Sequence, residues 1–278
     1  MDLETLQDTP PWEWPEDAAE MLLGVLSNGG AKDPKRILAA SLAGDLTVID
    51  DKIASALLAI VSDSDATEEL RNTAVISLGP ALEQTEMFGF DDPDDTVLSE
   101  TRFREIQQTL RRLYLDGGVP GEVRRRVLEA SVRAPQDWHR DAVRAAYAST
   151  DQSWVMTAVF CMRFLRGFDD QILTALDSNN PDIRYEAVCA AGNWAIEAAW
   201  GHIAAILVKD AIDKPLLIAA IEAAAAIRPQ EALDRLYDLR DSEDDDIAEA
   251  ADEALAMAEG LAELEDDDDE DEDGEPFR

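Results

Sequence analysis

The residues best suited to metal or nucleophilic chemistry are scarce in this chain: two histidines and two cysteines among 278 residues. The histidines stand in Trp138-His139-Arg140 and Gly201-His202-Ile203, and neither precedes an acid. Cys161 and Cys189 with these histidines fall short of a zinc ligand set. Carboxylates are the opposite case. With 61 Asp and Glu, close pairs arise by chance and indicate little. Asp91, Asp92, Asp94 and Asp95 offer oxygens for calcium, but the ligand order, central glycine and closing glutamate of an EF-hand are missing, so a solvated loop is expected. No GxxxxGK loop and no nucleophile elbow occurs. These residues predict no enzyme, no metal and no cofactor.

Charge is the stronger signal. The formal net charge is -37. A field of that sign repels nucleic acids and anionic membranes and attracts basic proteins, although a solubility adaptation would give the same count. The distribution is uneven. Residues 101–168 hold twelve arginines against seven acids, whereas 265–273 are nine consecutive acids. Like-charge repulsion and the lack of apolar groups predict a disordered tail over 265–278.

The elements that position these residues follow from a recurring pattern. An anchor residue is followed by small or apolar residues three, six and seven places on. Anchors fall at Arg36, Arg71, Arg124, Met156, Arg184, Leu217 and Ala248. A period near 30 residues marks a stacked repeat array. Alanine dominates the apolar set, which suits closely packed helices, and long alternating strand patterns are absent. Helices are expected over 17–27, 34–44, 47–61, 65–78, 101–115, 121–133 and 137–148, with Gly79-Pro80 as a stop. Residues 83–100 are an insertion, and 1–32 hold a cap with Trp12 and Trp14 and a first helix; a docking motif is the alternative for the tryptophans. Cys161 and Cys189 occupy the same place in adjacent repeats. Stacked helices lie ~8–10 Å apart and a disulfide needs Cα atoms within ~7 Å, so free, buried thiols are expected. No signal peptide or long apolar span is present in the sequence, and a cytoplasmic, reduced chain is expected.

Asp177, Pro181, Ile183-Arg184, Ala187, Ala190, Ala191 and Gly192 match in order the consensus of HEAT repeats, and the pattern resembles the bacterial type also seen in phycobilisome lyase subunits. Arg36, Ala39, Ala43 and Gly44 match its later half, as do Arg71, Ala74, Leu78 and Gly79; Met156, Leu217 and Ala248 have lost the arginine. The resemblance implies an all-α, right-handed α-solenoid of about seven HEAT-like helix pairs over 33–264. It implies that the anchor arginines bond a neighbouring repeat's aspartate or loop carbonyls. It also brings enzymes into view. Hydroxylases of this fold hold two irons with His-Glu pairs, which this chain lacks, and DNA glycosylases use a basic groove.

In such arrays the second helix of each pair lines the concave side. On that basis Arg104, Arg111 and Arg112 on one helix, and Arg140 and Arg144 on the next, are expected to form a partner-binding patch, with Phe88 and Phe90 of the insertion beside it. The expected function is a non-enzymatic, monomeric scaffold or adaptor for another protein or peptide. An accessory subunit of a lyase or protein-modification enzyme is the first alternative. An acidic-tail binder or chaperone of basic proteins is the second.

Overall fold

A computed structural model describes residues 2–29, 33–92, 96–208 and 213–271, the last eleven of these by backbone alone. The chain is all-α, with no strand among the described residues. It divides into two compact units, Met1–Ala146 and Tyr147–Arg278.

The first unit holds α1 (Leu3–Gln7), α2 (Ala18–Leu26), α3 (Asp33–Leu42), α4 (Asp51–Ser62), α5 (Glu68–Ile76), α6 (Gly79–Phe88), α7 (Glu100–Leu115) and α8 (Gly121–Ser131), and α9 (Asp137–Tyr147) closes it. Helices pair as α2 with α3, α4 with α5 and α7 with α8. The second unit opens with α10 (Gln152–Met162) and pairs α11 (Asp169–Leu176) with α12 (Pro181–Asn193), α13 (Trp200–Leu207) with α14 (Lys214–Ile227), and α15 (Pro229–Arg240) with α16 (Asp245–Asp271). Within each unit the second helices form the tighter row: α3 on α5 on α8, and α10 on α12 on α14 on α16. Stacked helix pairs of this kind are the arrangement of an α-solenoid.

The repeat pattern accounts for that row. Three places after the anchors stand Ala39, Ala74, Val127, Val159, Ala187, Ala220 and Ala251, every one without exposed surface. The glycine eight places after an anchor has a steric reason. A Cβ on Gly44 would lie 2.8 Å from Ser77 Cβ, and one on Gly192 would lie 2.9 Å from Ala223 Cα. Ser77 and Ala223 each stand six places after the next anchor. At Gly79 the space is taken by the Arg133 side chain, 2.9 Å from such a Cβ, with Ala130 Cα in ordinary contact at 3.8 Å. So at Gly44 and Gly192 one repeat's glycine meets the next repeat's sixth position, and there the backbones approach more closely than a side chain on the glycine allows.

Two of the four anchor arginines, Arg36 and Arg71, act inside their own pair, not across to a neighbour as expected. Arg71, 5% exposed, donates from Nε to the carbonyl of Val61 at the end of α4 (3.0 Å), and Arg36 Nη2 donates to that of Leu26 at the end of α2 (3.5 Å). Each reaches back ten residues to a carbonyl that the helix leaves unsatisfied.

Several elements depart from the expected pattern. Gly79-Pro80 ends α5 but also begins α6, because proline at a helix start sacrifices no hydrogen bond. The insertion is therefore helical to Phe88, with Leu82 and Thr85 buried; Asp94 and Asp95 lie outside the described residues. Residues 3–7 form α1, which buries Leu3 and Leu6. Trp14 donates from its indole to Leu6 and Thr9 carbonyls, while Trp12 is 80% exposed. Helix α16 runs past Leu264 to Asp271, since extending a helix already nucleated on buried Ala251, Ala254 and Leu255 is easier than starting one. Residues 272–278 of the acidic tail lie outside the described residues.

Candidate functional site

Of the arginines singled out by charge, Arg104, Arg111 and Arg112 lie on a first helix, not a second one. Helix α8 carries the anchor Arg124, which makes α7 the first member of its pair. Arg104, Arg111 and Arg112 are exposed on α7, and Arg140 and Arg144 on α9. Arg104 pairs with Glu100 (2.5 Å) and Arg144 with Asp141 (3.3 Å), both in solvent, where such pairs contribute little. Arg111 and Arg112 make no ion pair among the described residues. Phe90 packs edge-on against Phe103, with ring centroids 5.6 Å apart, and Phe88 is half exposed. Nothing in this arrangement converges on a cavity with both arginine sets.

A cavity does form on the second-helix row of the second unit, where the sequence indicated no site. It measures about 460 Å³ and is lined by Arg163, Cys189, Asn193, Ala195, Glu222, Ala226 and Met257, with Gly192, Ala219 and Ala223 also lining it. The lining comes from α12, α14 and α16 and from Arg163 at the end of α10. It arises from a break in the repeat. Seven places after the anchor, the other copies hold Ala43, Leu78, Ser131, Ala191, Ala224 and Leu255, all buried. After Met156 that place is taken by Arg163, a half-buried cation.

Two hydrogen bonds fix the cavity's end wall. Trp194 Nε1 donates to the Met162 carbonyl (2.7 Å), and Asn193 Nδ2 donates to the Arg163 carbonyl (3.4 Å). Together they tie the end of α12 to the end of α10. The Arg166 guanidinium lies 4.4 Å from the Trp194 ring centroid, a cation–π contact. Arg163 Nη1 meets Glu186 Oε2 at 3.3 Å. Ala195 takes a φ of 47°, the left-handed conformation that ends α12 and that glycine normally supplies.

The electrostatics of the lining favour binding over nucleophilic attack. Burial pushes the Cys189 thiol above its ordinary pKa, although Arg163 pulls the other way, so the thiolate is disfavoured at neutral pH. Cys189 is half-buried and Cys161 fully buried, and neither is in a disulfide. Tyr185, hydrogen-bonded to Cys189, is pushed up to about 12, first by the charge a Cys189 thiolate would carry and then by burial. Glu222 is raised by desolvation, with a further push from the neighbouring carboxylate Glu253 and opposition from Arg163. Glu222 and Glu253 make no hydrogen bond or ion pair among the described residues.

Neither histidine lines this cavity. His139 is 1% exposed in α9; its Nδ1 accepts from the Gln136 N–H (2.8 Å) and its Nε2 meets Ser131 Oγ (2.9 Å). His202 Nδ1 lies 3.7 Å from Asp177 Oδ1. Among the described residues no three His, Cys, Asp or Glu side chains cluster as a metal site would require.

No protein family profile matches the chain, and no curated protein does. Solved structures to which it is similar include the following three. YibA of Escherichia coli is 16% identical over 91% of this chain and 85% of that one, with a TM-score of 0.47. The phycocyanin lyase complex of CpcE and CpcF from Nostoc sp. PCC7120 is 17% identical over 91% and 98%, with a TM-score of 0.46. Human deoxyhypusine hydroxylase, solved with glycerol, is 17% identical over 93% and 88%, with a TM-score of 0.41. The last of these corrects one expectation. An enzyme stands among the similar structures, so the lack of a catalytic constellation in the sequence does not make this chain a non-enzyme. No helix among the described residues is long and apolar enough to cross a membrane.

Proposed function

We propose that this chain acts by binding another protein, as an interaction or accessory subunit, through the second-helix row of its second unit. The observation that supports this reading is the open cavity over α12, α14 and α16, where the repeat departs from its own pattern at Arg163. Binding sites are concave, mostly apolar and set with a few polar groups, and this one has Met257, Ala226 and Ala223 for the first and Arg163, Asn193 and Glu222 for the second. Local departures from an otherwise consistent pattern mark function more often than chance.

The test is photo-crosslinking from native extract. A photoreactive residue replacing Asn193 or Met257, both exposed in the cavity, is expected to capture a discrete partner, and one replacing Leu46 in the first unit is not. Equal capture from all three positions, or none from the first two, overturns the reading.

The exposed arginines of α7 and α9 support a second contact surface, for an acidic partner segment, because Arg111 and Arg112 lack ion pairs among the described residues. Changing Arg111, Arg112, Arg140 and Arg144 to Glu without loss of partner binding removes that surface from consideration.

A further inference from the structure

The place five residues after each anchor tells what the cavity lacks. In α8 that place is Glu129, and the chain neutralises it: Arg125 Nη1 lies 2.7 Å from Oε1 and Arg126 Nη1 lies 2.6 Å from Oε2. Those arginines stand one and two places after their anchor. In α14 the equivalent acid is Glu222, and one and two places after that anchor stand Ile218 and Ala219. The acid recurs here without the two cations beside it, whereas four other copies hold Ser41, Ile76, Cys161 and Cys189 at this place. The next repeat repeats the omission, with Glu253 in the same place and Glu249 and Ala250 before it.

Beside these carboxylates lies an apolar floor. Ala219, Ala223 and Ala226 line it, and Met257, 45% exposed, stands over it. An acid next to an unfilled apolar hollow matches one side-chain type well: a long aliphatic stem with a cationic head, which is Lys or Arg. The surroundings favour the same sign. The second unit carries nine Lys and Arg against 33 Asp and Glu, a net of -24.

Resting on the binding role proposed above, we propose that the cavity receives a basic amphipathic segment of a partner protein, whose Lys or Arg pairs with Glu222 while its stem covers Met257 and Ala226. Arg163 does not block this. Its Nη1 pairs with Glu186 at 3.3 Å, and its charge, which also acts on Glu222, offsets part of that carboxylate and limits how many basic groups fit. One basic residue is accommodated at Glu222 and an adjacent one at Glu253. The partner cation supplies at α14 what Arg126 supplies at α8.

The experiment uses the full chain and two synthetic helical peptides with Leu along one stripe, one carrying Lys and the other Glu at the flanking positions. Fluorescence anisotropy at physiological ionic strength reads binding, and the alkylation rate of Cys189 reports whether the cavity is covered. The Lys peptide is expected to bind and slow Cys189 alkylation, and the Glu peptide to do neither. Glu222→Gln is expected to weaken binding about tenfold, the scale of one charge-assisted hydrogen bond. Asp234→Asn, an exposed acid on α15 outside the cavity, is expected to change it less than twofold; losses on this scale are small for a screened surface charge. Glu222→Lys is expected to bind the Glu peptide instead, which also shows that the variant is folded. No binding of the Lys peptide, binding without protection of Cys189, or equal losses from Glu222→Gln and Asp234→Asn each overturn the proposal. Crosslinks from Asn193 and Met257 that persist after such a result leave the binding role standing and remove only the basic partner.

Discussion

His139 can take up a second proton only by giving up the N–H it accepts from Gln136, and burial lowers its pKa from 6.5 to about 4. The unfolded chain protonates near the ordinary value. Between those two pH values the unfolded state binds more protons, so stability falls as pH falls. The full effect is about 3 kcal/mol, at roughly 1.4 kcal/mol per pH unit. Carboxylates titrate in the lower part of this range, so the useful comparison is a difference. Denaturant unfolding of the parent and of His139→Gln at pH 6.5 and 5 is expected to show the parent losing about 2 kcal/mol more over that interval. A parallel pH dependence in both proteins rules the effect out. The anchor arginine Arg71 belongs to the same scale. Arg71→Met keeps the aliphatic packing but leaves the Val61 carbonyl at the end of α4 without its donor, and a loss of about 1–3 kcal/mol is expected in the same assay.

At the scale of the element, α12 shows how a helix is both started and stopped by its sequence. Asn180 accepts from the N–H groups of Asp182 and Ile183, and Pro181 fills the first helical position. Asn180→Ala is expected to cost about 1 kcal/mol. The other end is less well served, because Ala195 holds a left-handed φ with a methyl group attached. Ala195→Gly is expected to raise stability by about 0.5–1 kcal/mol, and a lowered melting temperature contradicts the strain argument. The helices were legible where their periodicity and caps coincide: α7, α8 and α9 fall within two residues of expectation at each end. Helix α6 was not, because Gly-Pro ends one helix and begins another with the same two residues. The cavity was not legible as a site either. Its lining residues are separated by about one repeat each and meet only when helices stack. One signal was nevertheless present: Arg163 stands where every other copy has a small or apolar residue, a departure readable once the seven copies are aligned on their anchors.

Over the whole molecule, charge is the dominant uncompensated quantity. A net of -37, with -24 of it in the second unit, sets the compact state against its own repulsion. Salt at ~0.15 M screens that repulsion between charges more than ~8 Å apart. Thermal unfolding followed by circular dichroism is expected to move to higher temperature as sodium chloride rises from a few millimolar to ~0.15 M. An unchanged or falling midpoint shows that the ion pairs within the units outweigh the net field. Binding of the Lys peptide is expected to weaken over the same salt range, so the protein gains stability as it loses affinity.

The contact between one repeat's glycine and the next repeat's sixth position has a consequence for how this chain tolerates change in length. Between Arg71 and Arg124 the spacing is 53 residues, against 28 to 35 elsewhere, yet Gly79 still meets Ala130. Residues added between seams are absorbed as extra helix or loop. In the three copies that carry the glycine it stands eight places after the anchor, and one residue more or less turns it about 100° around the helix, away from the neighbour it touches. Insertions and deletions in related chains are therefore expected to collect between repeats and to be absent from these eight-residue intervals, so the parts of the chain free to diversify and the parts held to a fixed length alternate along it.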